Sequence, residues 1–276
     1  MSAGAAGAAP DGAALDHVVI NVLHRMDEAA ATFAALGFQL TPRGHHSLGS
    51  INHLMMTPGA YLELVGLPET GPQRRDVVDS PFGLNGLVLR SRDADATHAR
   101  LAATGLAAGP PVSFSRPVTV DGISAEARFR TVRLPAVLFP AGRLYHCEHL
   151  TPDLVWRPDW FAHPNGFLGI DALTVESPDP AGEAGRYAAA CGAPAEHVDG
   201  KCLDGTWRIR LGDMMVAIVP GERARFRDVG LVFAGLDPLA ARAASLPGAE
   251  WTRLGPYRGA LALPALDLRL LCRARS

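Results

Sequence analysis

A unit of one strand, one helix and three strands recurs four times along the chain, and this repetition restricts the possible folds more than any other feature. In the first copy, apolar residues at helical spacing predict a helix over 27–36 that ends at Gly37. Its predicted strands cover residues 15–22, 38–41, 51–56 and 60–65. Repetition of one supersecondary unit predicts a modular α+β fold of four βαβββ modules.

The later copies are recognised by the same alternation of strand and helix signals. Predicted strands of the second copy cover residues 85–91, 128–134 and 143–149, and its helix covers 94–103. Those of the third copy cover 170–176, 207–211 and 214–219, with a helix over 181–190. Those of the fourth copy cover 229–233, 260–263 and 266–272, with a helix over 238–245. We expect a disordered tail (1–14), an N-terminal domain of two modules (15–150), a connector rich in Trp and Pro (151–168) and a C-terminal domain (169–276).

Composition excludes several classes of function. A net charge of −2 with 48% hydrophobic residues gives no support for a nucleic-acid or membrane-surface partner. Lys201 is the single lysine, which argues against Schiff-base and phosphate-loop chemistry. The four cysteines form no Cys-x-x-Cys pair, so a zinc knuckle is not expected. With neither a signal peptide nor a membrane-length apolar run in this sequence, we expect a soluble, cytoplasmic protein.

Two polar residues stand out on the apolar strands of the first module. His17 lies in the run LDHVVINV (residues 15–22), and Glu63 lies in YLELV (residues 61–65). Burying an ionisable group is costly unless a partner compensates it. Neutral imidazole and carboxylate are both good ligands for a divalent metal ion. The pair therefore indicates a site, and Glu63 is also a candidate catalytic residue.

The modules and several motifs resemble the vicinal oxygen chelate superfamily, and more narrowly its glyoxalase-like domain branch. The resemblance is carried by LDHVVI (15–20), HSLGSIN (46–52), AYLE (60–63) and HLTPDLVWRP (149–158). It implies two glyoxalase/bleomycin-resistance/dioxygenase-type domains, in which paired modules curl into a cup. It also implies a divalent ion, such as Zn, Ni, Mn or Fe, held by the first and last strands of the paired modules.

Carried over to this chain, the resemblance makes His17 and Glu63 metal ligands. The matching first-strand position of the second module is Gly86, which has no side chain to offer. On the closing strand we favour Glu148, as a ligand and a catalytic group. His146 shares its face, and His149 is the alternative if the register differs by one residue.

Further candidates surround this centre. His46 is a candidate proton-transfer or substrate-contacting residue, and His53 is an alternate ligand, although both could be solvated. Asn52 could hydrogen-bond a substrate oxygen. Trp156 and Arg157 could clamp a planar or anionic substrate, although packing between the two halves is the commoner role for such residues.

The third and fourth modules offer no equivalent ligands, because Ala172 stands where His17 would be and a small residue fills that place in the fourth module. The resemblance implies a metal-dependent enzyme acting on a small oxygenated metabolite, by lyase or isomerase chemistry first and ring-cleaving dioxygenation second. The alternative is a metal-free small-molecule-binding protein of the bleomycin-resistance type. Four modules in one chain allow a monomer or a homodimer.

Overall fold

The structure, a computed structural model, describes residues 14–120, 122–198 and 205–275. The predicted tail, apart from Ala14, lies outside the described residues, as do Lys201 and Cys202. None of the described helices has the length and apolar character that crossing a bilayer requires.

The first half forms one eight-stranded sheet with two longer helices and one short one. Its strands are β1 (Leu15–Leu23), β2 (Gly44–His46), β3 (Ser50–Met56), β4 (Tyr61–Gly66), β5 (Gly83–Ser91), β6 (Val112–Val120), β7 (Ile123–Arg133) and β8 (Arg143–His149). Its helices are α1 (Met26–Ala35), α2 (Arg75–Val78) and α3 (Ala94–Ala103). The Asp93 carboxylate accepts the N–H groups of Asp95 and Ala96 at the start of α3, a typical N-cap.

The second half repeats this arrangement. Its strands are β9 (Phe167–Ser177), β10 (Ala195–Val198), β11 (Thr206–Leu211), β12 (Met214–Pro220), β13 (Arg225–Phe233), β14 (Glu250–Gly255), β15 (Arg258–Leu263) and β16 (Leu268–Ala274). Its helices are α4 (Pro180–Cys191) and α5 (Asp237–Ala244). Helix α4 ends at Gly192, whose φ of 64° is a left-handed conformation that glycine adopts without a steric penalty.

Both sheets have the same strand order, which confirms the predicted fold of paired βαβββ modules. The orders are β2-β3-β4-β1-β5-β8-β7-β6 and β10-β11-β12-β9-β13-β16-β15-β14. In each sheet the first strand of each module pairs in parallel with its own closing strand, and the two first strands pair antiparallel. The two modules of each sheet therefore meet at β1/β5 and at β9/β13.

The predicted strand over residues 38–41 is wrong, because these residues are irregular and the edge strand is β2, at residues 44–46. Strands β6, β10 and β14, which also lie at sheet edges, were not predicted. The four predicted helices agree with α1, α3, α4 and α5 to within one residue at each end, and the short helix α2 was not predicted.

The two faces of the first sheet bury different clusters. One face, with α1 and α3, joins residues of both halves in a single large core that includes Val18, Ile20 and Phe33. The concave face holds a smaller cluster that includes Val19, Tyr61 and Tyr145 and draws only on residues 19–155. Alternation along β1 therefore sends every second side chain into this concave space, which we call the cup.

Candidate metal centre

His17 and Glu63 meet at the floor of the cup. Strand β1 pairs in parallel with β4, with His17 opposite Tyr61 and Val19 opposite Glu63, so all four side chains share one face. His17 is 3% exposed and Glu63 is 6% exposed. The His17 Nε2 atom lies 3.4 Å from Glu63 Oε2. The structure thus brings together the two residues that the sequence singled out.

Tyr145 on β8 supplies the third group at this point. Its hydroxyl lies 3.3 Å from His17 Nε2. Strands β1 and β5 pair antiparallel, with Val18 opposite Leu87. A two-fold relation about this pair makes Val88 in the second module equivalent to Val19 in the first. Val88 is opposite Tyr145 just as Val19 is opposite Glu63. Tyr145 is therefore the counterpart of Glu63 in the second module.

The same two-fold relation makes Gly86 the equivalent of His17 in the second module, as the sequence predicted. A Cβ added at Gly86 would lie 2.9 Å from the Cβ of Val19, which is closer than real side chains approach. The tight packing of β1 against β5 at this point excludes a larger residue, and with it a fourth side-chain ligand.

Glu148 and His146 face away from the cup. The prediction that Glu148, with His146 on the same face, supplies a ligand from β8 is therefore corrected. Alternation from Tyr145 sends both side chains to the opposite face. A carboxylate oxygen of Glu148 accepts the Ala94 N–H at the start of α3, at 3.0 Å. His146 Nε2 lies 3.1 Å from the carbonyl oxygen of Ala190 in the second half. Both side chains are used in packing elsewhere in the molecule.

His149, the alternative ligand, does lie on the cup side of β8. Its Nε2 is 3.1 Å from Asp16 Oδ1, and donor atoms of Asp16, Cys147 and His149 lie within 4.8 Å of one another. This second donor group adjoins the first, because Asp16 Oδ1 also lies 2.6 Å from His17 Nδ1. Asp16 Oδ1 is thereby engaged by two histidines, whereas the His17 Nε2 and Glu63 Oε2 atoms converge on the cavity.

Electrostatics at the centre follow from this packing. Burial alone would raise the pKa of Glu63, but the hydrogen bond and charge of His17 outweigh it and lower the pKa to about 2. Burial opposes the charge on His17, yet its hydrogen bonds to Asp16 and Glu63 raise its pKa. Burial also opposes the charge on Asp16, but His149 and His17 hold its pKa well below the usual range. Without a metal ion, the two carboxylates favour the protonated form of His17.

His46 and Asn52 line the same cavity, and His53 does not. Asn52 Nδ2 donates to Glu63 Oε1 at 2.7 Å and so fixes that carboxylate. His46 Nδ1 lies 2.8 Å from the Ser50 hydroxyl, and burial lowers the pKa of His46 to about 3. His53 Nδ1 donates to the Thr41 carbonyl oxygen at 2.8 Å, away from the centre.

The first part of the connector after β8 lies over the cup of the first sheet, whereas its later residues contact both halves: His163 Nε2 lies 2.8 Å from the Met56 carbonyl oxygen, and the Gly166 carbonyl oxygen accepts the Ala234 N–H at 2.8 Å. The Trp156 ring packs edge-on against His149 and Tyr61, at centroid distances of 4.5 and 5.7 Å. Val155 lines the cavity, and Trp160 packs against the same concave cluster. Arg157 lies beyond this cover, with Nη2 3.5 Å from an Asp159 carboxylate oxygen. Trp156 therefore packs behind Tyr61 and His149, and neither Trp156 nor Arg157 lines the cavity.

Five residues of the site were not predicted from the sequence: Asp16, Tyr61, Arg74, Arg116 and Tyr145. The Tyr61 ring stacks on His17 with a centroid distance of 4.4 Å. Arg74 is 7% exposed and forms two hydrogen bonds of 2.7 Å to Asp76. Arg116 also lines the cavity, from the edge strand β6. Alternation along YLELV could have identified Tyr61, but no sequence signal marked the two arginines.

The second sheet has no counterpart of this centre among the residues that the structure describes. Ala172 stands at the position of His17 and is opposite Met215 on β12, as His17 is opposite Tyr61. Two residues further along β12, Ala217 takes the position of Glu63. The first cup therefore holds the candidate site alone.

The donor set fits a divalent ion. One imidazole nitrogen, one carboxylate oxygen and one phenol oxygen converge, and the other imidazole nitrogen is held by a carboxylate, as in many metal-binding histidines. The cavity volume of about 30 Å³ has room for an ion and a water-sized ligand. His17 and Glu63 are the ligands that this arrangement would supply, with Tyr145 beside them.

A family model described as glyoxalase-like domain matches residues 15–191, which is more than half of the chain. No curated protein is matched by this sequence. The structure is similar to that of a hypothetical protein from Staphylococcus aureus, with a TM-score of 0.68 at 12% identity. That match covers 95% of this chain and 99% of the other.

Two further solved structures have a known activity or metal in their names. One is a Mn(II)-bound glyoxalase from Novosphingobium aromaticivorans, with a TM-score of 0.62 at 15% identity over 96% of this chain and 82% of that one. The other is homoprotocatechuate 2,3-dioxygenase from Arthrobacter globiformis, with a TM-score of 0.58 at 16% identity over 97% and 81%. At these identities the similarity shows the fold alone.

Proposed function

Because the chain belongs to the glyoxalase-like domain family of the vicinal oxygen chelate superfamily, we propose that it is a divalent-metal-dependent enzyme acting on a small oxygenated metabolite. His17 and Glu63 would hold the ion, with Tyr145 beside them. The observation that supports this proposal is the convergence of His17 Nε2 with Glu63 Oε2 and the Tyr145 hydroxyl, at 3.4 and 3.3 Å, in a buried cavity.

When bound, the ion supplies Lewis-acid stabilisation of negative charge that develops on a substrate oxygen. Asp16 accepts the Nδ1 proton of His17, which leaves Nε2 directed at the centre. Asn52 donates to one oxygen of Glu63 and leaves the other directed at His17. His46 is neutral at pH 7 because of its low pKa, so its ring can hydrogen-bond a substrate.

We favour lyase or isomerase chemistry of the glyoxalase type over ring-cleaving dioxygenation. Non-heme iron oxygenases typically use two histidines and one carboxylate. In this centre Tyr145 occupies the place where a further ligand would stand, and His149 is engaged by Asp16 at 3.1 Å. A single histidine with a carboxylate and a phenol supports redox-neutral proton transfer at a carbon next to a polarised oxygen.

A metal-free binding protein is the second candidate, and one observation favours it. His17 and Glu63 already contact each other at 3.4 Å, and the raised pKa of His17 makes this an ion pair that needs no further partner. In that case the cup would hold an organic ligand directly.

Metal analysis separates the two candidates. We expect protein purified without added metal to retain a divalent ion, measured by plasma mass spectrometry, and to bind Mn²⁺, Zn²⁺, Ni²⁺ or Fe²⁺ after chelation. An ion at a hundred times its Kd would stabilise the fold by about 2.7 kcal/mol, which raises the melting temperature. Absence of both bound metal and any change in melting temperature would refute the enzyme proposal.

Three variants test the ligand assignment. His17→Ala and Glu63→Gln should each weaken metal binding at least a hundredfold. Glu148→Gln is the matched control, because it removes a carboxylate from the opposite face of β8 and should leave the affinity unchanged. Full binding by the first two variants, or loss in the third, would overturn the assignment.

A further inference from the structure

Arg116 is a buried cation on the wall of the cup. It lies on β6 opposite Ala127 of β7, and it is 4% exposed. Its Nη2 atom is buried and donates no hydrogen bond, and its other side-chain nitrogens form no hydrogen bond or ion pair with any residue that the structure describes. Burial lowers the pKa of Arg116, while Tyr61 and Glu63 oppose this effect. A guanidinium remains protonated under such conditions.

An unpaired buried charge is among the most unfavourable features that a fold can contain. The contrast with Arg74, which lines the same cavity, shows how the chain satisfies such a group elsewhere. Arg74 is held by both oxygens of Asp76 at 2.7 Å each. Arg116 has no such carboxylate, so its planar set of donors is free for a ligand that enters the cup.

The position of Arg116 links it to the candidate metal centre. A Cβ added at Gly44 would lie 3.3 Å from Arg116 Nη1 and 2.3 Å from Asn52 Oδ1, so Gly44 leaves the space that these two side chains fill. Asn52 in turn donates to Glu63 at 2.7 Å. Arg116 therefore stands beside the residue that holds the candidate ligand Glu63.

We propose that Arg116 binds the carboxylate of the substrate, so that the substrate class is a small carboxylic acid with a second oxygen near its carboxylate. This inference rests on the proposed function, in which His17 and Glu63 hold an ion that meets that second oxygen. A guanidinium matches a planar carboxylate with two parallel hydrogen bonds. Arg116 lines the same small cavity as His17 and Glu63.

Binding of glycolate to the whole protein, measured by calorimetry, tests this inference. Glycolate carries a carboxylate with a neighbouring hydroxyl, its amide is neutral, and inorganic phosphate is the tetrahedral competitor. We expect glycolate to bind at least tenfold more tightly than either of the other two. Arg116→Met should reduce glycolate binding at least tenfold and leave the metal content as in the wild type.

Arg128→Met is the matched control, because it removes an arginine from the exposed face of the same hairpin. It should bind glycolate as the wild type does. Arg116→Met should also keep or raise the melting temperature, since it removes an uncompensated buried charge. Arg116→Lys, which keeps the charge and loses the planar fork, should bind glycolate several-fold less tightly, and it serves in place of Arg116→Met if that variant does not fold.

The remaining outcomes separate this inference from the proposed function. Unchanged glycolate binding in Arg116→Met with a lower melting temperature would make Arg116 structural, and tighter binding of phosphate would refute the carboxylate assignment. Metal-bound wild type that does not bind glycolate would refute this inference and leave the proposed function standing. Protein that lacks metal but binds glycolate through Arg116 would refute the proposed function and leave the assignment of Arg116 to the carboxylate standing.

Discussion

Asp16 Oδ1 lies 2.6 Å from His17 Nδ1, and both residues are buried beneath the cup. The two residues are adjacent in sequence, and an irregularity in the β1/β5 register between Leu15 and His17 lets both side chains reach the same side. The same carboxylate oxygen lies 3.1 Å from His149 Nε2. One acidic group thus fixes the orientation of the imidazole whose Nε2 faces Glu63.

Asp16→Asn should weaken metal binding about 10- to 100-fold, the usual effect of losing a carboxylate that orients a ligand histidine. The amide keeps the shape of the side chain but no longer holds the Nδ1 proton with a negative charge. Calorimetric titration with Mn²⁺ measures the change. Asp95→Asn, at an exposed position in α3, is the control. Wild-type affinity in Asp16→Asn would show that His17 needs no orienting group.

Metal binding should also release a proton and tighten with rising pH. The hydrogen bonds of Asp16 and Glu63 raise the pKa of His17, so its Nε2 carries a proton that the ion must displace. Below that pKa the Mn²⁺ affinity should rise about tenfold per pH unit, and above it the affinity should level off. Titrations in buffers of different ionisation enthalpy count the released protons. A pH-independent affinity would contradict a protonated His17.

Tyr145→Phe should reduce Mn²⁺ affinity less than tenfold. Burial and the neighbouring Glu63 charge raise the pKa of Tyr145, so the phenol is neutral at pH 7 and is a weak donor to a metal ion. Loss of its 3.3 Å contact with His17 should cost about 0.5–1.5 kcal/mol of the free energy of unfolding. A loss of metal affinity beyond a hundredfold would instead identify Tyr145 as a phenolate ligand.

The sequence predicted the parts of this site that lie on central strands. His17 and Glu63 are lone polar residues in apolar runs, and the spacing of the modules placed them on the first and last strands of one module. Gly86 was located by the same repetition. These positions could be predicted because central strands are buried on both faces and form continuous apolar runs, in which a polar residue stands out.

Sequence patterns failed at sheet edges and in the register of β8. Strands β6, β10 and β14 are partly exposed edge strands with few apolar residues, so their alternation is weak, and Arg116 was missed with β6. Both faces of β8 carry polar side chains, with Tyr145 and His149 on one face and His146 and Glu148 on the other. Alternation alone therefore could not tell whether Tyr145 or Glu148 faces the cup. Only the pairing of β5 with β8 decides it.

Gly86→Ala should lower the free energy of unfolding by about 1–3 kcal/mol, because its methyl group would press against Val19 where the two modules join. Chemical denaturation measures the loss. Gly169→Ala is the control, since it also lies in a strand but its added Cβ would have no atom within 4 Å. Equal stabilities for the two variants would contradict close packing at β1/β5.

His146→Gln should flatten the acid dependence of stability. Burial lowers the pKa of His146 to about 3, whereas an unfolded histidine titrates near 6.5, so between these values the unfolded state binds the additional proton. Stability therefore rises with pH across this window, by about 1.4 kcal/mol per pH unit for one such group. Glutamine can still donate to the Ala190 carbonyl oxygen but does not titrate. Urea unfolding between pH 4 and 7.5 should show a slope reduced by up to that amount, with little change at pH 7.5, where His146 is neutral in both states. An unchanged slope would mean that His146 protonates within the folded protein.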